Sequence, residues 1–554
     1  MNTGNSNRAI PSGVVPLDKV AVRLHPQDDV AIAKVDLQAG TALVLEPEER
    51  AHTSPSPPTP IPIRQPIPSG HKVALREIAA GESVHRYGQT IGFATQAIRP
   101  GDYVHTHNLG MQTPAGEHDL GTDVPPRSPL CGNVQAVEYV PENERRTFLG
   151  YKRADGRVGT RNVIAVISTV NCSAHATREI ARLARRRYLA PDRPAAHPNV
   201  DDVVAFTHHL GCSAPIGSPD YVQLQRTLAG IARHPNVGAA ILVGLGCESN
   251  QAADLVRNRG LCHDEGGTGR TCPILLIQEL GGIRKTIKAG VATVESLIPA
   301  VNAVQRTPQP ISELVVALQC GGSDGWSGVT ANPVVGLVAD EIVRQGGTVV
   351  LGETTESYGA EHLLTSRAVS PEVGRKLLKK VCWWEEYARK MGLEVDNNRS
   401  VGNEAGGLTT IYEKALGAVA KGGSTPLIAV YDYAEPVSAR GLTFMDTPGN
   451  DWTAVTGQIA GGCTLVLFTT GRGSAFGSKP APTIKISSNS ATYEHMIDDM
   501  DLNAGRILDG ADMEEVAAEL TDLVIAVASG QPSKSEAQGV GEAEFSPWSL
   551  GRTL

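Results

Sequence analysis

Ala240-Ile241-Leu242-Val243-Gly244-Leu245, followed at once by Gly246-Cys247-Glu248, is the stretch on which the fold turns. An uncharged run with no polar alternation suits a strand covered on both faces, and the glycine turn behind it ends that strand sharply. The pattern recurs at 163–167, 203–206 and 274–277, with helical spacing between the runs. Such strands, alternating with helices, build a parallel sheet of α/β type. A second series begins beyond the break Thr307-Pro308-Gln309-Pro310, at 314–318, 349–351, 427–431, 465–468 and 483–486. Within it a helix is expected to start at Asn332, which can cap, with Pro333 in the first turn.

Working outward, residues 113–148 are polar and carry Pro125-Pro126, which predicts a linker. Before it, about residues 15–112, short strands alternate with turn signals at Gly40, Gly81, Gly88 and Gly101, a small and mostly β region. The prolines of 51–69 exclude a helix or central strand and predict an extended insertion. At 554 residues the chain expects two to four domains, and the 59 glycines with only 4% aromatics suit tight strand-to-helix turns. A net charge of −9 without a basic run gives nucleic acid and anionic membranes little to hold. Arg182, Arg185, Arg186 and Arg187 read as the solvated end of a helix. Residues 1–13 lack the apolar core of a signal peptide, and no run is long enough to span a membrane. The nine cysteines are therefore expected as reduced thiols or metal ligands in a cytoplasmic enzyme.

Chemistry-bearing residues gather directly behind the strands. Cys172, Cys212, Cys247 and Cys320 all sit in turns at predicted strand ends, where ligands of α/β sheets collect. Thiolates there suit iron, zinc or an iron–sulfur cluster, although small cysteines also pack well behind strands. Glu353 and Glu356 follow another strand and offer oxygen donors to a divalent metal, or simply helix-start carboxylates. The loops 321–325 and 469–474 are glycine-rich, and Arg472 can grip a carboxylate with a planar fork. Neither loop matches a phosphate-binding or dinucleotide fingerprint, so no nucleotide cofactor is expected. His25, His71, His105 and His107 are dense enough in the β region to supply a proton shuttle.

With these residues in view, the chain resembles the altronate/galactarate dehydratase family along nearly its full length. The resemblance is carried by 25–31 (His25-Pro26-Gln27-Asp28-Asp29), 70–75 (Gly70-His71-Lys72), 86–92, 155–162 (Asp155 to Asn162) and 244–248. It continues through Cys320-Gly321-Gly322-Ser323-Asp324, 330–333, 402–407 and Thr469-Thr470-Gly471-Arg472-Gly473. It implies an α/β multidomain protein. The parts are a β-clip (SAF-like) domain over 15–112, a linker at 113–148, a middle α/β dimerisation domain over 149–306 and a C-terminal Rossmann-like variant over 311–554. It implies a homodimer that takes a small-molecule sugar acid and depends on iron, as Fe2+ or as a cluster. The site residues it suggests are His25, His71, Lys72 and Asp324 for catalysis and Ser323, Asn162, Arg472 and Gly471 for substrate. For the metal it leaves open a thiolate site from Cys212, Cys247 and Cys320 or a carboxylate site from Glu353 and Glu356. The expected reaction removes water from an aldonate or aldarate. A sulfolactate-type sulfo-lyase and a non-catalytic sugar-acid-binding protein are the competing readings.

Overall fold

The computed structural model describes residues 13–45, 59–111, 136–189, 196–261 and 272–550. Two parallel sheets dominate it. The middle sheet has four strands in the order Asp202–Phe206, Val163–Ser168, Val237–Gly244 and Ile274–Leu276. The C-terminal sheet has seven, ordered Leu427–Tyr431, Gly441–Met445, Thr348–Leu351, Val315–Cys320, Leu465–Thr470, Thr483–Ser487 and Leu502–Asn503. Every pairing within both sheets is parallel. In each, the first strand in sequence has its successors on both sides, so strand order reverses there. Crevices open at the carboxyl ends of such strands.

Period-two alternation shows how the C-terminal sheet is buried. Val316, Leu318, Leu465, Leu467, Ile484 and Ile486 enter one core cluster, together with Val30, Ile78, Val84 and Ile91 of the N-terminal β region. Ala317, Val466 and Phe468 enter another, with Phe206, Leu228 and Leu242 of the middle sheet and its helices. Both faces are therefore covered, which is why these strands read as unbroken apolar runs. The N-terminal region consists of small three- and four-stranded sheets, as its short strands predict.

Several expectations change. Residues 51–58 of the proline-rich stretch lie outside the described residues. The remainder is no mere insertion: Ile61–Pro62 forms an edge strand, and Ile61, Ile63 and Ile67 are buried in the core of the β region. The expected linker lies mostly outside the described residues, and Thr147–Lys152 at its end is already a strand. That strand pairs antiparallel with Thr307–Pro310, the supposed break, because an edge position tolerates prolines that donate no hydrogen bond. The helix Ala331–Arg344 starts just before Asn332, with Thr330 at the N-cap position; Asn332 is no cap but ties the Gly417 carbonyl to the Thr469 hydroxyl. The strand Gly441–Met445 was not anticipated. The arginine cluster does end a helix, Ala174–Tyr188, as expected.

The middle and C-terminal sheets are joined partly by the helices Pro219–Ala232 and Asp451–Ala460. A Cβ at Gly230 would run into the Ala460 carbonyl. Gly230→Ala gains about 1 kcal/mol of helix propensity, yet overpacking costs about 1–3 kcal/mol. The variant is expected to unfold at lower urea than wild type, with the balance read from the denaturation midpoint. A midpoint above wild type would show that the two helices separate freely.

Candidate active site

The strand-order reversal of the C-terminal sheet lies between Val315–Cys320 and Leu465–Thr470. The loops leaving these two strands are the glycine-rich segments singled out by sequence. Gly322 sits at φ +63°, and its carbonyl accepts from the amides of both Gly471 and Arg472, so the two loops are stitched together. The Asp324 carboxylate is the knot. It accepts from the amides of Trp326 and Ser327 at 3.1 and 2.8 Å, from the hydroxyls of Ser327 and Ser488 at 2.8 Å each, and from Asn489 Nδ2 at 3.0 Å. Burial pushes its carboxyl above the usual range, against those hydrogen bonds. A Cβ at Gly471 would strike this carboxylate, so only glycine fits. Asp324 thus shapes the loops.

Three donors are left over at this edge. The amides of Gly322 and Ser323 have no hydrogen-bond partner among the described residues. The exposed Arg472 guanidinium has no ion pair or hydrogen bond among them either. A Cβ on Gly406 would lie 2.9 Å from Asp324 and 3.2 Å from the Arg472 side chain. From the other side the N-terminal region touches the same turn. His71 Nε2 donates to the Ala405 carbonyl at 3.3 Å, and His105 Nε2 to the Glu404 carbonyl at 3.0 Å. With that proton on Nε2, His71 Nδ1 accepts from the Tyr103 hydroxyl at 2.6 Å. Burial, Lys72 and His105 together lower the His71 pKa to about 4, so its ring is neutral at pH 7. Burial raises that of Tyr103 to about 12.

The two regions are locked by a buried carboxylate. Glu413, on the helix Ile411–Val419, accepts from Lys72 Nζ at 2.9 and 3.0 Å and from Arg86 at 2.5 Å. Lys72 also donates to the Gly407 carbonyl at 2.6 Å, and Arg86 to that of Gly325 at 2.6 Å. Burial brings Lys72 down to about 8, despite Glu413. Lys72, expected as a catalytic residue, is therefore a fully buried tie with its donors engaged. His25 is exposed on the surface, its Nδ1 accepting from the Gln27 amide at 3.1 Å. Asn162 is not at this edge at all. It is locked in the middle region by Arg153 at 2.9 Å and by the carbonyls of Asn199 and Val301 at 2.6 and 2.9 Å.

The expected metal ligands divide. Cys320, Glu353 and Glu356 present donor atoms within 4.8 Å of one another, all buried, whereas Cys212 and Cys247 belong to the middle sheet. The proposed Cys212–Cys247–Cys320 grouping is therefore corrected: its members leave strands of two different sheets. Around Cys320 the positive charge is supplied by the chain. Lys421 Nζ lies 2.6 Å from the sulfur and 3.9 Å from Glu353, and Lys414 Nζ 2.8 Å from Glu356. Burial and the neighbouring Glu356 push Glu353 well above the carboxylate range, and burial with Glu356 brings Asp451 to about 6. Glu353 sits at φ +61° and keeps one buried oxygen, Oε1, without a partner, the one feature that favours a cation. Yet with Lys421 against the sulfur an ammonium already stands where a metal would, and these residues do not fit an iron ion. Glu413, Lys414 and Lys421 were missed in the sequence, although a Glu-Lys pair inside the otherwise apolar 411–419 was a visible signal.

Burial raises the pKa of Glu413, but Lys72 and Arg86 outweigh it and hold the carboxyl at about 2, against an ordinary 4.5. Its stabilisation is full above pH 4.5 and is lost as pH falls toward 2. Glu413→Gln strands two buried cations and is expected to cost about 3–5 kcal/mol at neutral pH. Chemical denaturation of both proteins from pH 7 down to acid measures this, and the gap should narrow in acid. Equal stability at pH 7 would remove the lock.

Comparison with known proteins agrees with the motifs. The family model described as "D-galactarate/Altronate dehydratase, C-terminal" matches residues 311–553. Those for "D-galactarate dehydratase/Altronate hydrolase, second domain" and "Altronate/galactarate dehydratase SAF domain" match 150–302 and 19–112. Altronate dehydratase of Bacillus subtilis (strain 168) is 34% identical over 521 residues, covering 93% of this chain and 96% of that one. Galactarate dehydratase (L-threo-forming) of Escherichia coli (strain K12) is 36% identical over 516 residues, covering 92% and 93%. The (2R)-sulfolactate sulfo-lyase subunit beta of Chromohalobacter salexigens is 31% identical over 412 residues, 73% of this chain and 97% of that subunit. The chain, with its N-terminal SAF domain, belongs to the altronate/galactarate dehydratase family.

Proposed function

We propose that the protein is a hydro-lyase that removes water from an aldonate or aldarate such as altronate or galactarate, leaving a 2-keto-3-deoxy acid. The observation that carries this reading is Arg472 beside the amides of Gly322 and Ser323, all three without a partner among the described residues, at the strand-order reversal of a seven-stranded parallel sheet. That group of donors suits a carboxylate. In the elimination a base takes the proton α to the carboxylate, and its electron pair forms the enediolate. The β-hydroxyl then leaves as water with a proton, and the enol rearranges to the ketone. Arg472 and the two amides meet the charge that grows on the carboxylate oxygens. His71, neutral and coupled to Tyr103, is the proton-handling pair on the opposite wall. Asp324 and Gly471 keep the loops in register, and Ser323 contributes its amide.

The C-terminal sheet is read as a Rossmann-like variant without dinucleotide, since its loops lack that fingerprint. The middle α/β region serves as the dimerisation surface of a cytoplasmic homodimer. Iron belongs to the reading as cofactor, but no step of the elimination is assigned to the Cys320 network, whose charges the lysines already balance. The sulfo-lyase relative matches as a separate beta subunit, whereas here the SAF region and the body share one chain, as in the two dehydratases.

Purified protein supplied with ferrous iron under reducing conditions should form a 2-keto-3-deoxy acid from altronate or galactarate. Sulfite release from sulfolactate with no sugar acid dehydrated would replace this reading, and tight sugar-acid binding without turnover would make the protein a binder.

Arg472→Lys keeps the charge but loses the fork. A charge-assisted bond is worth about 1.5–3 kcal/mol, so kcat/KM should fall about tenfold or more. His71→Gln should lower kcat by about 10²–10⁴ with KM little changed. Wild-type kinetics in either variant would take that residue out of the site.

A further inference from the structure

The middle sheet has its own strand-order reversal, and that site is lined with thiols. Cys172, Cys212 and Cys247 follow the adjacent parallel strands Val163–Ser168, Asp202–Phe206 and Val237–Gly244, all at their carboxyl ends. Neighbouring strands lie about 4.8 Å apart, so three loops leaving the same edge bring their side chains together. The loops are cross-tied: the Asn171 amide donates to the Leu210 carbonyl, and the Ser249 amide and hydroxyl donate to the Cys212 carbonyl. A Cβ on Gly211, at φ +95°, would run into the Thr169 carbonyl, so that turn closes directly over the loop carrying Cys172.

Three features mark this as more than packing. All three cysteines are exposed and free, although cysteine is among the most buried residue types. Gln278 Nε2 donates to Cys247 Sγ at 3.4 Å, the kind of hydrogen bond that tunes a metal-bound sulfur. The close-set donor group, within 4.8 Å, is that of Cys320 and not this one. A single tetrahedral ion with metal–sulfur bonds of about 2.3 Å draws its sulfurs to within about 4 Å of one another, so a wider trio suits a larger group.

We propose that Cys172, Cys212 and Cys247 form a thiolate site at the carboxyl edge of the middle sheet that holds an iron–sulfur cluster by three corners, its fourth iron open to an exogenous ligand. Each thiol gives its proton to solvent as it ligates iron. Gln278 supports the Cys247 sulfur. This places the family's iron in the middle region, apart from the lysine-balanced Cys320 network. The assignment is read from metal content and not from turnover, so it stands or falls separately from the dehydratase reading.

The test is anaerobic reconstitution of the full chain with iron(II), iron(III) and inorganic sulfide, followed by iron and acid-labile sulfide analysis and visible absorption. Wild type should turn brown and hold iron and sulfide in about equal amounts. Cys172→Ser and Cys247→Ser, both at exposed positions, should lose that colour and most of the iron while keeping wild-type circular dichroism. Cys382→Ser, an exposed thiol elsewhere, should remain brown. Wild type that takes up no cluster, or that binds iron or zinc without sulfide, overturns the proposal. So does a cluster that survives both substitutions or disappears only in Cys320→Ser.

Discussion

One buried carboxylate holds the candidate active site together. Glu413 has no exposure to solvent, and neither do its partner Lys72 nor, almost, Arg86. An isolated carboxylate in that place would be prohibitively costly, and so would either cation. The three are tolerable only together, and Lys72 and Arg86 each donate once more, to the carbonyls of Gly407 and Gly325, while Arg86 Nε is buried without a partner among the described residues. Those carbonyls belong to the turns that carry Gly406 and Asp324. The same interaction that docks the N-terminal region therefore fixes it against the turns next to which His71 and Arg472 lie. Next along the helix, Lys414 turns to Glu356 and begins the second buried network. Two adjacent residues thus anchor two polar clusters.

The chain uses one topological device twice. Each parallel sheet reverses its strand order beside its first strand, and each reversal opens an edge where loops converge. At the C-terminal sheet the edge carries glycines, open amides and an arginine, a surface for an oxyanion. At the middle sheet it carries three exposed thiols, a surface for a soft metal. Cys320 lies at the first edge, but buried behind its loop. A Cβ on Gly321 would meet the Asp451 carboxylate, so the Cys320 network lies directly beneath the loop that offers its amides to ligand. That network supports the loop from below, and its two ammonium groups make a bound cation unnecessary.

Much of the fold was legible because of a simple constraint. A strand covered on both faces must be apolar at every position, so the central strands of both sheets stand out as continuous runs. Glycine turns behind them marked where ligands collect, and Arg472 with the 321–325 loop was found in this way. The strand Gly441–Met445 does not stand out in the sequence, because a glycine opens it and Thr443 breaks its run, although all five residues are buried. Thr307–Pro310 was read as a break because its prolines hid an edge strand.

Sequence alone determined most of the central strands of both sheets, that the N-terminal region is mostly β, and the family to which the chain belongs. These follow from local periodicity and from motifs that are contiguous in the chain. Only the tertiary structure decided which strand ends are neighbours. That decision took Cys320 away from Cys212 and Cys247 and put Cys172 in its place. It locked Asn162 and Lys72 into structural bonds, and paired Glu413 with cations more than 300 residues away, at separations of 341 and 327. A side chain's type is written locally. Whether it faces solvent, a thiol or an ammonium depends on strand order and on what packs above it, and no short stretch of sequence carries either.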